Sequence, residues 1–110
     1  QLFTGWYVEH AQVWLEARVA MWAERLGVSP ASVTVRDQGY RWASCAAGGR
    51  LYFHWRVIQL PPRLIDYVIV HELVHLTHDD HSPAFWRAMA RVLPDCDSRR
   101  ELLRRLGAQL

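Results

Sequence analysis

The chain has 110 residues, 51% hydrophobic and 22% charged, which suits a single compact domain with a real core. No apolar run approaches the roughly 20 residues that cross a bilayer, and the N-terminus lacks the charged start and apolar core of a secretory signal. All 13 basic side chains are arginine against 11 acidic ones, so the net charge of +2 is too small to argue for nucleic-acid binding by itself. A cytoplasmic protein is the expectation. Residues 1–110 read as one domain, and a start at Gln1 instead of methionine suits a domain excised from a longer chain.

In chain order, Tyr7, Ala11, Trp14, Leu15, Val19, Trp22 and Leu26 recur at helical spacing, which predicts an amphipathic helix from Trp6 to Leu26 ended by Gly27. Ser29-Pro30 marks a turn and Val33-Thr34-Val35 a short strand. Two further strands, at Arg41 to Cys45 and Leu51 to Trp55, flank Ala46-Ala47-Gly48-Gly49-Arg50 as a hairpin. Alternation would place Leu51, Phe53 and Trp55 toward the core and Tyr52, His54 and Arg56 on the other face. Such a hairpin either serves structure alone or, beside a cleft, pairs with an extended peptide. Pro61-Pro62 starts a helix running from about Pro62 to Thr77, with Leu64, Val68, Ile65 and Ile69 as core residues. Ser82-Pro83 reads as an N-cap and first residue of another helix. A last helix carries Arg99, Arg100, Arg104 and Arg105, either as phosphate contacts or as a solvated face with arginines near the negative helix end. One helix, a small antiparallel sheet with a hairpin and further helices make an α+β domain. Cys45 and Cys96 form no C-x-x-C pair and are expected as free thiols.

Most of the chemical information lies in His71-Glu72-Leu73-Val74-His75, an H-E-x-x-H run in the second half of the Pro62 helix. Residues four apart share one helical face, so imidazoles at 71 and 75 can converge on one ion. Zinc binds imidazole nitrogen at about 2.0–2.1 Å, and in catalytic sites it takes three protein ligands and leaves one position to water. Glu72 would accept the proton of that water, whose pKa the metal lowers to about 7, as it attacks a carbonyl. One Zn²⁺ per chain is therefore the expected cofactor, with Glu72 as the catalytic residue.

The third metal ligand has several candidates. His78 continues the face of His71 and His75, but on a straight helix it lies about 10 Å along the axis from His71, too far for bonds near 2 Å. His81 has the better claim, because Asp79-Asp80 can end the helix and let the chain turn back, and Ser82-Pro83 would then hold His81 at the junction. Asp79 or Asp80 is a lesser option.

Several blocks together resemble the YgjP-like metallopeptidase domain, a group similar to the SprT and WLM metallopeptidases of the zincin-like class. They are Arg41-Trp42-Ala43-Ser44-Cys45, Phe53-His54-Trp55-Arg56, Leu60-Pro61-Pro62, the run from Asp66 through His71-Glu72-Leu73-Val74-His75 to Leu76, and His81-Ser82-Pro83-Ala84-Phe85-Trp86. The resemblance implies a zincin-like fold and a zinc-dependent peptidase, with His71, His75 and His81 as metal ligands. Ala43 stands where the pattern usually has glycine, so that position does not need an easy positive φ. His54 stands where it usually has asparagine, as part of the cleft lining or as a solvent-facing strand residue.

Three functions follow from these readings. The first is a zinc endopeptidase acting on a protein or peptide. The second is a zinc-dependent phosphohydrolase acting on a nucleotide, with arginines gripping the charge. The third is a non-catalytic module that keeps the metal for folding and binds a partner or nucleic acid, which the intact Glu72 argues against. Tyr67 and Arg41 are conceivable oxyanion stabilisers, with a supporting or core role favoured for Tyr67.

Overall fold

The structure, a computed structural model, describes residues 2–37, 39 and 41–106. Helix α1 (Leu2–Leu26) leads into strands β1 (Ser32–Arg36), β2 (Ala43–Ala46) and β3 (Arg50–His54). A 3₁₀ segment (Trp55–Gln59) then precedes helices α2 (Pro62–Val74), α3 (Pro83–Val92) and α4 (Cys96–Arg105).

Helix α1 buries Ala11, Leu15, Val19, Trp22 and Ala23, one stripe at spacings of three and four, against the sheet and the 3₁₀ segment. It stops at Gly27, whose φ of 71° lies in the left-handed region that glycine enters without a Cβ clash. Arg18 reaches across to α2 and clamps Asp66 with two hydrogen bonds of 2.9 Å, while the Trp22 indole donates to the same carboxylate at 3.0 Å. That latch fixes α2 beneath the first helix.

The three strands form one sheet in the order β1-β3-β2. Strands β2 and β3 are the predicted hairpin, closed by Gly48 and Gly49 at φ near 80° and with Cys45 opposite Leu51. The expectation of a wholly antiparallel sheet is corrected at β1, which pairs with β3 in parallel, Val33 beside Leu51 and Val35 beside Phe53. The chain reverses once between β1 and β2 and again in the hairpin, so β3 runs with β1. Leu51 and Phe53 are fully buried, whereas β1 buries only Val35, and the more apolar strand takes the centre.

The expected alternation beyond β3 also changes. His54 is buried, not solvent-facing, because the strand ends there and the chain coils into the 3₁₀ segment. Its Nδ1 accepts the Arg56 N–H at 3.0 Å and so caps that segment, and its Nε2 lies 3.3 Å from Asp37. Trp55, expected in the core, is half-buried against Tyr7.

Helix α2 is the centre of the molecule. Every residue from Tyr67 to Val74 is buried, including the polar His71 and Glu72, because the sheet, α1, α3 and α4 surround it. It ends three residues sooner than the expected Thr77, in a tighter turn where the Leu76 and Thr77 N–H groups bond to carbonyls three residues back. Ser82 caps α3 as expected, its Oγ accepting the Phe85 N–H at 3.4 Å, with proline at the first helical position. Cys45 and Cys96 are free thiols, and no helix among the described residues is long and apolar enough to cross a membrane.

Candidate metal centre

His71 and His75 leave the same face of α2, and the turn through residues 75–80 brings His81 back to them. One ring nitrogen of each of the three lies within 4.8 Å of the others. The His75 and His81 Nε2 atoms are 3.1 Å apart. Phe85 supports the cluster, its ring centroid 4.6–5.0 Å from each of the three imidazoles. The Trp86 indole donates to the His81 carbonyl at 3.2 Å, and the Ser82 N–H donates to Asp80 at the same distance, which holds the returning loop on α3.

His78 does not join the cluster. Its ring pairs with the Thr77 hydroxyl at 2.9 Å, but its backbone carbonyl lies 3.0 Å from His75 Nδ1. A carbonyl only accepts, so that contact places the His75 proton on Nδ1 and leaves the Nε2 lone pair facing His81. Asp80 is spent on the loop and Asp79 lines the neighbouring cleft.

Glu72 is 2% exposed and lies with Oε2 3.3 Å from His71 Nδ1. It opens, together with His75 and His81, onto a cleft of about 830 Å³ whose opposite wall is β2 from Ala43 to Ala46. Burial pushes the Cys45 thiol pKa up, and the charges of Glu72 and Asp79 push it the same way. Burial lowers the His81 pKa, with the neighbouring His71 and His75 adding to the effect, so this imidazole stays neutral to lower pH than an ordinary one.

The free rim of β2 is more specific than the hairpin expected from sequence. The His54 N–H bonds to the Trp42 carbonyl at 2.8 Å, so residues 42, 44 and 46 direct their backbone groups to β3. Alternation turns the backbone groups of Ala43 and Cys45 away from β3; Ala43 is fully buried, so the half-buried Cys45 offers the accessible pair. Strand β3, paired on both sides, has none to offer.

The family model for the YgjP-like metallopeptidase domain matches residues 1–106. The chain belongs to the YgjP-like metallopeptidase family. This makes it a metal-dependent peptidase by family. Its fold is similar to that of the crystal structure of the metallopeptidase zymogen of Pyrococcus abyssi abylysin, with a TM-score of 0.74, 22% sequence identity, and coverage of 86% of this chain and 97% of that one. That likeness shows a shared α+β fold. No curated protein matches the chain.

The donor set of this YgjP-like domain fits a metal. Two ligands on a tetrahedral ion with bonds of 2.0–2.1 Å stand about 3.4 Å apart, close to the 3.1 Å between the His75 and His81 nitrogens. Two imidazole nitrogens facing each other with no carboxylate between them are also a better pair of lone pairs for a cation than a hydrogen bond. Ala43 is fully buried with no positive φ, so its methyl is accommodated.

The other expected residues divide. Arg41 is exposed at the rim of the large cleft. Tyr67 is buried with its ring 5.9 Å from His71 and opens onto a second, smaller pocket. The C-terminal arginines do not form one basic face. Arg99 pairs with Asp95 at 2.8 Å, and Arg104 and Arg105 both bind Glu101, whereas Arg100 folds over the Trp86 ring at 4.3 Å. Sequence reading gave Arg100 and Trp86 no separate role; the only signal was Trp86 in the block after His81.

Proposed function

We propose that this chain is a zinc endopeptidase that cleaves an extended segment of protein seated along β2. The observation that carries the reading is the shared cleft. Glu72, His75 and His81 open onto one cavity whose opposite wall is a strand with an outward backbone edge.

His71, His75 and His81 would hold the zinc ion, which supplies Lewis acidity and a coordinated water with pKa near 7. The residues of the chain do the rest. The outward N–H and C=O groups of the half-buried Cys45 pair with the substrate backbone and orient its carbonyl. Glu72 accepts a proton from water as the water oxygen bonds to the carbonyl carbon. The carbon–nitrogen bond then breaks, and Glu72 passes that proton to the departing amine. Its surroundings suit the task, because burial keeps bulk water from competing for the carboxylate and every near neighbour on α2 is apolar or a ligand.

Zinc-loaded protein incubated with an unfolded protein substrate, beside Glu72→Ala, tests this directly. Cleavage by the parent should fall by about 10²–10⁴-fold in the variant, with zinc content unchanged. Equal cleavage by both would remove Glu72 from the mechanism. Zinc retained at one equivalent by His75→Ala would remove the ligand assignment.

A further inference from the structure

The imidazole cluster separates two spaces of opposite chemistry. The large cleft along β2 carries the carboxylates of Glu72 and Asp79. On the other side lies a pocket of about 260 Å³ with Tyr67 and His71 at its base and Trp86, Arg100 and Arg104 around it, and none of its lining side chains is acidic. His81 is a wall of both.

Two groups in the small pocket lack an internal use. Arg100 makes no ion pair or hydrogen bond among the described residues, although the three arginines beside it on α4 all have carboxylate partners. Its guanidinium instead sits over the Trp86 ring, 4.3 Å from the centroid, a cation–π contact that uses none of its N–H donors. The second group is the Tyr67 phenol, whose residue is 1% exposed and which has no hydrogen-bond partner among the described residues. The Tyr67 hydroxyl is not among the fully enclosed, unpaired side-chain atoms of the described residues, and Tyr67 lines the pocket, so this hydroxyl reaches the pocket space. Arg100 lies close enough that its charge is the main influence opposing the burial that raises the Tyr67 pKa. A hydroxyl that opens into a cavity with no protein partner is a donor free to serve a ligand there.

We propose that this pocket binds a carboxylate of the substrate immediately beside the scissile bond, with the Arg100 fork and the Tyr67 hydroxyl as donors. The inference rests on the peptidase reading above and adds a substrate class to it. The carboxylate belongs either to an Asp or Glu side chain or to the free C-terminus of a short peptide. A planar guanidinium beside a fixed O–H suits a planar anion, and the carboxylates in the large cleft disfavour its binding on that side.

Four peptides of one sequence separate the sources: Glu or Gln at the residue after the scissile bond, each long and C-terminally amidated, and the neutral peptide truncated there with a free acid or an amide. The parent should prefer one carboxylate form over its neutral isostere by about ten-fold or more in kcat/KM. Arg100→Gln should collapse that ratio to about two-fold or less, and Tyr67→Phe should narrow it while keeping the ring that packs on His71. Preference within the long pair assigns the side chain, and within the short pair the terminus.

A binding measurement keeps the two hypotheses apart. Metal-free protein titrated with the same peptides should show the Trp86 indole N–H resonance moving for the carboxylate forms only, and not in Arg100→Gln. Equal cleavage of all four with no Trp86 shift would overturn the carboxylate pocket and leave the peptidase standing. No cleavage, with an Arg100-dependent shift, would sustain the pocket and overturn the peptidase. Absence of both would overturn both.

Discussion

The two edges of the small sheet are finished in opposite ways. On the outer side of β1 the Gln12 amide acts as a surrogate strand, donating to the Val33 carbonyl at 2.7 Å and accepting the Val35 N–H at 2.8 Å. On the outer side of β2 no side chain takes that part among the described residues, and the strand borders a cavity beside three imidazoles and a glutamate. An open strand edge invites pairing with other chains, and proteins usually block it. Here one edge is blocked and the other is left at the site where an extended chain would be cut. On the proposed reading, the open edge is the one that pairs with substrate.

The largest expected effect separates chemistry from architecture. Chelating the metal should abolish cleavage and leave far-UV circular dichroism at 25 °C unchanged, while the unfolding temperature falls only by what loss of a ligand bound to the folded chain requires. The core of Leu15, Phe53, Leu64, Ile69, Leu73 and Met89 closes without help from the imidazoles. Unfolding on chelation would instead mark a metal kept for folding. Next, Cys45→Pro removes an outward N–H from β2 without touching the ladder to β3, a placement proline tolerates on an edge. It should lower kcat/KM on extended peptides by about ten-fold through lost backbone pairing and ring bulk, with the zinc content intact.

The matching change on the closed edge is Gln12→Ala, which strands a strand N–H and a carbonyl. It should cost about 1–2 kcal/mol by denaturant unfolding, while kcat/KM stays within about two-fold. A catalytic defect in that variant would show that the two edges are not independent. The smallest effect tests the charge along the open edge. Because burial and the Glu72 and Asp79 charges raise the Cys45 pKa, less thiolate is present at pH 8 than in a free cysteine. Alkylation there should be several-fold slower than in an unfolded peptide, and Glu72→Gln should partly restore it.

Much of the site was legible because it is local. The four-residue step from His71 to His75 is a statement about one helical face, and Ser82-Pro83 announces a helix start that pins His81. The hairpin and the end of α1 at Gly27 were readable for the same reason. What failed was non-local. Strand alternation cannot say that β1 lies beside β3 and runs parallel to it, since that depends on which strand is apolar enough to take the centre. Nor can it foresee that His54 is a cap, because the strand ends where the chain packs under α1. Arg100 was hidden in a run of like charges. Asp97, three residues earlier, is the partner that sequence spacing offers, yet the side chain lies on Trp86 of another helix.

The loop that returns His81 to the helix has a consequence for how the centre assembles. Only five residues lie between His75 and His81, and three contacts already shape that segment: His75 to the His78 carbonyl, Ser82 to Asp80, and Trp86 to the His81 carbonyl. Closing so short a segment costs little chain entropy, and here it is closed by the protein itself. All three imidazoles and the carboxylate come from residues 71–81, so the site can form as soon as that stretch folds, without waiting for distant parts of the sequence to meet. Its weak point is then length more than composition: one residue inserted between Leu76 and Asp80 would displace His81 in a way that no single side-chain exchange in the loop would.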